Sequence, residues 1–137
     1  MNTEPQLFFE EERMSDEFTK FHVRNAPFYA VFHRFTAPDK GGPHDHPWGF
    51  TTKIIKGSYV ERRYYLDGST EIFHRKLNDS FEMDAKTIHR IVSLPDGECW
   101  TMITPFAWER EWGFWQFRED GAYFRQHDWP EFKKMNI

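Results

Sequence analysis

His44-Asp45-His46-Pro47-Trp48-Gly49-Phe50-Thr51-Thr52-Lys53-Ile54-Ile55-Lys56-Gly57-Ser58 is the stretch on which the fold turns. It has the make-up of a strand that opens on two histidines and closes on a turn dipeptide. Side chains two apart share one face of a strand, so His44 and His46 stand side by side, with Trp48 and Phe50 in phase behind them. Gly57-Ser58 signals a tight hairpin, with residues 59–66 as its second arm. Asp67-Gly68 is the next turn signal, leading into 71–77. Asn78-Asp79-Ser80 breaks the chain before 81–83. Residues 87–94, the turn Pro95-Asp96-Gly97, and runs at 99–106 and 112–117 complete a series of short strands. Such a series belongs to a sandwich or a barrel.

Upstream, Phe28, Ala30 and Phe32 alternate with Tyr29, Val31 and His33, which predicts a strand over 28–35. The prolines and glycines of 38–43 end it. Met14, Phe18 and Phe21 recur at helical spacing and predict a short amphipathic helix within 10–21. A second short helix is expected at 127–134, capped by Asp128. Fifteen Phe, six Trp and five Tyr in 137 residues, beside four leucines, favour sheet over helix bundle, because flat rings pack well on a pleated surface. A length of 137 residues suits one domain. The net charge of −4 argues against a dedicated nucleic-acid binder. Cys99 is the only cysteine, which excludes an intrachain disulfide framework and suits a reducing compartment. The N-terminal stretch is acidic and lacks a long apolar run, so a cytoplasmic protein without a membrane span is expected.

One His-x-His proves little: with seven histidines, about 0.4 such pairs arise by chance. The context adds to it. His89 follows His46 by 43 residues and opens a later strand, after Asp84-Ala85-Lys86-Thr87-Ile88. In this the sequence resembles the cupin superfamily. His44, His46 and Gly57 fit the first cupin motif, G-x5-H-x-H-x3,4-E-x6-G. His89 fits the histidine of the second, G-x5-P-x-G-x2-H-x3-N. The resemblance implies an all-β jelly roll, the double-stranded β-helix barrel, here with short flanking helices, as one domain over 1–137 with its core at 28–117.

Departures narrow the implication. Phe50 and Thr51 occupy the two places open to the motif glutamate, Asp84 and Lys86 stand in the Pro-x-Gly approach, and Ser93 replaces asparagine. What remains is a three-histidine set, His44, His46 and His89, similar to the thiol dioxygenase branch of the cupins. That similarity implies iron(II); the same ligands suit zinc, nickel or manganese. His46-Pro47-Trp48 and the run Arg110-Glu111-Trp112-Gly113-Phe114-Trp115 also resemble small bacterial and phage cupins.

Around the histidines, Trp48 and Phe50 are expected to wall an apolar pocket. Glu61 is a candidate fourth ligand or general base, against the plainer reading of an exposed strand carboxylate. Tyr59 and Arg63 share its parity and are candidates to meet substrate, Arg63 by gripping a carboxylate bidentately; Arg110 is a second such guanidinium. Cys99 reads as a small buried residue. The implied function is an iron(II) dioxygenase acting on a small molecule. Its rivals are a non-catalytic cupin holding a sugar or an anionic metabolite, and a metal-free sugar isomerase or epimerase. A homodimer joined through the strand at 28–35 is expected, with no nucleic-acid or membrane partner.

Overall fold

The computed structural model describes residues 6–136. Twelve strands run in chain order: β1 (Phe8–Arg13), β2 (Phe18–Arg24), β3 (Val31–Phe35), β4 (Trp48–Gly57), β5 (Tyr59–Tyr64), β6 (Thr70–Arg75), β7 (Ser80–Met83), β8 (Ile88–Ser93), β9 (Cys99–Trp108), β10 (Gly113–Arg118), β11 (Gly121–Gln126) and β12 (Lys133–Lys134). Among the described residues there is no helix, and so none long and apolar enough to cross a membrane. Six strands form one sheet in the order β1-β2-β3-β9-β4-β7. Two three-stranded sheets, β6-β5-β8 and β10-β11-β12, make the second layer.

The second layer is stitched together by the segment that carries the paired histidines. His44 and His89 exchange both backbone hydrogen bonds at 3.0 Å. On the other side, Asp45 N donates to Gly113 O (3.1 Å) and Trp115 N to Pro43 O (2.8 Å). Three residues therefore act as a short strand between β8 and β10. The core lies between the layers: Phe35, Ile54 and Cys99 from the six-stranded sheet pack with Tyr59 and Ile91 from the other. In β4 the period of two is plain, with Phe50, Thr52 and Ile54 buried and Lys53 and Ile55 exposed.

The expected helix within 10–21 is replaced by an antiparallel pair, β1 with β2, in register from Phe8↔Arg24 to Arg13↔Thr19. Helical spacing of three apolar residues is a local signal, and the open edge of β3 overrode it by pairing with β2. The expected C-terminal helix is also absent. Pro130 disfavours helical backbone at Trp129 and supplies no amide, and the chain turns into β12 against β11 instead. Flanking helices thus give way to strands, and the sheets do not close into a barrel. The strand expected at 28–35 is shorter, and it lies between β2 and β9. Both its edges are taken, so it offers no edge for pairing with a second copy.

Gly57-Ser58 is not a hairpin. β4 pairs with β7 and β9, while β5 pairs with β6 and β8, so the chain leaves one sheet for the other at this corner. Gly57 has φ +74°, and a Cβ there would run into the carbonyl of Glu98. Gly57→Ala is therefore expected to cost about 1–3 kcal/mol, read as a lower urea midpoint. An unchanged midpoint would show that the corner relaxes freely. Asp67-Gly68 does make the hairpin its sequence signals, joining β5 to β6 with Tyr64 opposite Thr70.

Candidate metal centre

His44 sits on the stitching segment, His46 two residues on, and His89 in β8. One ring nitrogen from each lies within 4.8 Å of the others. Two devices hold the rings. His44 Nδ1 donates to Gly42 O at 3.2 Å, and His89 Nδ1 faces Glu61 Oε2 at 3.4 Å. A carbonyl and a carboxylate only accept, so each Nδ1 carries a proton and Nε2 is the atom turned toward the other rings. His46 Nε2 and His89 Nε2 face one another at 3.3 Å. Two metal–nitrogen bonds of about 2.1 Å at a near-tetrahedral angle span roughly 3.4 Å, so this pair is already spaced for one ion. Burial, and then the neighbouring His89, lower His44 to about 4. Burial, with His89 and His44 beside it, puts His46 well below its ordinary range. Both rings are neutral at pH 7, the form that binds a metal. The donor set fits a divalent ion.

Asp45, between the two histidines, points the opposite way. It is 1% exposed, accepts from Gly113 N (2.8 Å) and Trp115 Nε1 (3.1 Å), and pairs with Arg110 at 3.0 Å. It pins the histidine segment to β10. Its alternation with two inward histidines was the sequence signal for this role, but its partners lie almost seventy residues away.

Glu61 is not the exposed strand carboxylate of the plainer reading; its exposure is 0%. Arg63 Nε reaches it at 2.7 Å and Arg75 Nη2 at 3.4 Å, besides His89. Burial pushes its carboxyl up, but the hydrogen bond from His89 and the pairing with Arg63 outweigh that and hold it at about 2. Glu61 is thus an anion behind His89 that orients and polarises the ring. Arg63 is spent on Glu61 and stacks 4.5 Å from the centroid of the Phe73 ring. Arg110 is engaged by Asp45.

In front of the histidines lies a cavity of about 590 Å³. Trp48, Phe50 and Tyr59 all line it, together with Phe18, Phe35 and Phe114, whereas Glu61, Arg63 and Arg110 do not. The ring of Phe50 stands edge-on to His46, centroids 4.9 Å apart, and so fixes its plane. Tyr59 is buried, and burial first, then Glu61, raises its hydroxyl well above the ordinary range. Cys99 is fully buried, and burial raises its thiol to about 12, so it behaves as a small core residue. Three further lining residues had no site role in the sequence: Lys20 falls where a helix was expected, and His33 and Thr101 fall in runs expected as strands.

No family model matches the chain, and no curated protein matches its sequence. Solved structures do match in shape. Hydroxypropylphosphonic acid epoxidase from S. wedmorenis aligns with 72% of this chain at a TM-score of 0.56 and 8% identity. Capsular polysaccharide assembling protein CapF from Staphylococcus aureus aligns with 91% at 0.55 and 14% identity. Drosophila melanogaster CENP-C, solved bound to CAL1, aligns with 73% at 0.53 and 14% identity. This chain spans 55% of the epoxidase, 33% of CapF and 76% of CENP-C. At such identities the likeness is one of fold alone. What this chain shares with these structures is the fold, and within it three histidines of this chain come together around one point.

Proposed function

We propose that this chain is a metal-dependent enzyme of jelly-roll type, an iron(II) dioxygenase acting on a small molecule. The observation that supports it most is the convergence of three imidazoles on the wall of an aromatic cavity. His44, His46 and His89 would hold the ion. Three neutral ligands leave its full charge and several positions open, and iron(II) there would bring dioxygen and a polar group of the substrate together. The protein's own part is placement. Glu61 sets the plane of His89, Gly42 that of His44, and Phe50 that of His46. The aromatic walls orient the substrate and thin out water around it.

Metal analysis of protein purified without chelator or a metal-binding tag tests this reading. About one equivalent per chain is expected, as isolated or after anaerobic reconstitution with iron(II), followed by oxygen uptake in the presence of a substrate from a small-molecule panel. Failure to take up any divalent ion would overturn the metal reading. Stoichiometric zinc with no oxygen uptake by the iron form would overturn the dioxygenase reading alone. A ligand-binding protein without catalysis is the second reading, favoured by a cavity whose walls can hold a ligand with no metal. The isomerase reading loses its base, since Glu61 lies behind His89 and does not reach the cavity.

A further inference from the structure

The cavity carries one positive charge that no carboxylate pairs directly among the described residues. Each acid that lines it is engaged: Glu17 by Lys40 at 2.6 Å, Asp39 by the amide of Ile91 at 2.8 Å, and Asp45 by Gly113, Trp115 and Arg110. Lys40 is likewise matched by Glu17. Lys20, on β2, is different. It is half-buried, lines the cavity, and among the described residues has no carboxylate within ion-pair distance. Glu12, opposite it in register on β1, is taken by His22 at 3.0 Å. The Lys20 ammonium lies 5.8 Å from the centroid of the Phe18 ring; burial lowers its pKa, and the charge of Glu12 offsets part of that.

Its neighbours continue the pattern. Register places Lys20 opposite His33, and His33 opposite Thr101, so the three form one row across β2, β3 and β9. On β4 the partner of Thr101 is Ile54, with Thr52 two residues away on the same face, and Lys20, His33, Thr101 and Thr52 all line the cavity. Thr101 and Thr52 are 1% and 2% exposed, yet neither hydroxyl has a hydrogen-bond partner among the described residues. Lys20 and His33 share the cavity wall with His44, His46 and His89.

We propose that Lys20 marks the anion subsite of the cavity and that the substrate is a small carboxylic acid. Its carboxylate sits on Lys20, its apolar body lies against Phe18, Phe35 and Phe50, and its other end meets the histidines. This rests on the cavity being the substrate chamber and not on the identity of the ion. It also moves the carboxylate grip away from Arg63 and Arg110, whose charges are already neutralised by Glu61 and Asp45.

The test is calorimetric titration of the purified protein with saturated and phenyl-substituted monocarboxylates of about two to ten carbons, each beside its primary amide. The best acid is expected to bind at least about tenfold tighter than its amide. Lys20→Met should abolish that preference while leaving amide affinity unchanged, which also shows that the cavity is intact; Lys20→Arg should keep it. The preference should survive in His89→Ala. A carboxylate bound by the metal instead would lose its preference in His89→Ala and keep it in Lys20→Met, and that result overturns the proposal. So does a series in which no acid binds better than its amide. Loss of metal binding with the acid preference intact would refute the metal reading and leave this one standing.

Discussion

His89→Ala is expected to end stoichiometric metal uptake, from about one equivalent per chain to a level indistinguishable from a chelator-treated control. His89 is the member of the set whose Nε2 faces that of His46 at 3.3 Å, and the one backed by a buried carboxylate. Removing a partner that merely hydrogen-bonds a ligand weakens metal affinity about 10–100-fold, and removing the ligand itself should exceed that. The backbone contribution of residue 89 is unaffected, because its two hydrogen bonds with His44 belong to the main chain. The variant should therefore keep its far-ultraviolet dichroism and a cooperative thermal transition. Since His44 and His46 are neutral in the wild type, metal uptake near pH 7 should release no protons from either of them. A variant that still holds one equivalent of metal would remove His89 from the set.

Glu61→Ala is expected to be the most destabilising single change, by about 3–5 kcal/mol in urea unfolding. Arg63 and Arg75, with side chains 20% and 15% exposed, would lose their shared carboxylate, and His89 Nδ1 would lose its acceptor. Glu61→Gln keeps the shape and an acceptor, so its cost should be smaller, with metal affinity falling about 10–100-fold. Acid titration separates charge from shape. The carboxyl lies at about 2 in the folded chain against an ordinary 4.5, so its ionised form contributes stability that is complete above 4.5 and is lost as pH falls through 2. Glu61→Gln should flatten that part of the stability profile. An equally steep acid loss in Glu61→Gln would show that the charge of Glu61 is not what holds the two arginines.

The strands β4 to β10 were legible because their signals are local, alternation inside each run and turn residues between runs, whereas β11 and β12 were not. The histidine pair was legible for the same reason, and His89 through its placement at the start of a later strand. Glu61 shows where that kind of reading fails. A carboxylate in Tyr59-Val60-Glu61-Arg62-Arg63 looks solvent-facing, because charge and aromatic residues alternate around it. Only the pairing of β5 with β6 and β8 brings Arg75 and His89 to it and makes its burial tolerable. Lys20 is similar. Its row with His33 and Thr101 spans residues from 20 to 101, and local spacing around it pointed to a helix.

The sequence by itself determined which side chains share a face within a strand, because a period of two is a property of the backbone and needs no partner. It therefore determined that His44 and His46 look the same way, that Asp45 looks the other, and that Trp48 and Phe50 follow the histidines. Only the tertiary structure decided which strand lies beside which, because backbone hydrogen bonds are alike in every pairing. That choice sent the chain across at Gly57 instead of back along β4. It also laid residues 43–45 between β8 and β10, which brought His89 to the other two histidines, and it set Lys20 on the cavity wall without a counter-ion.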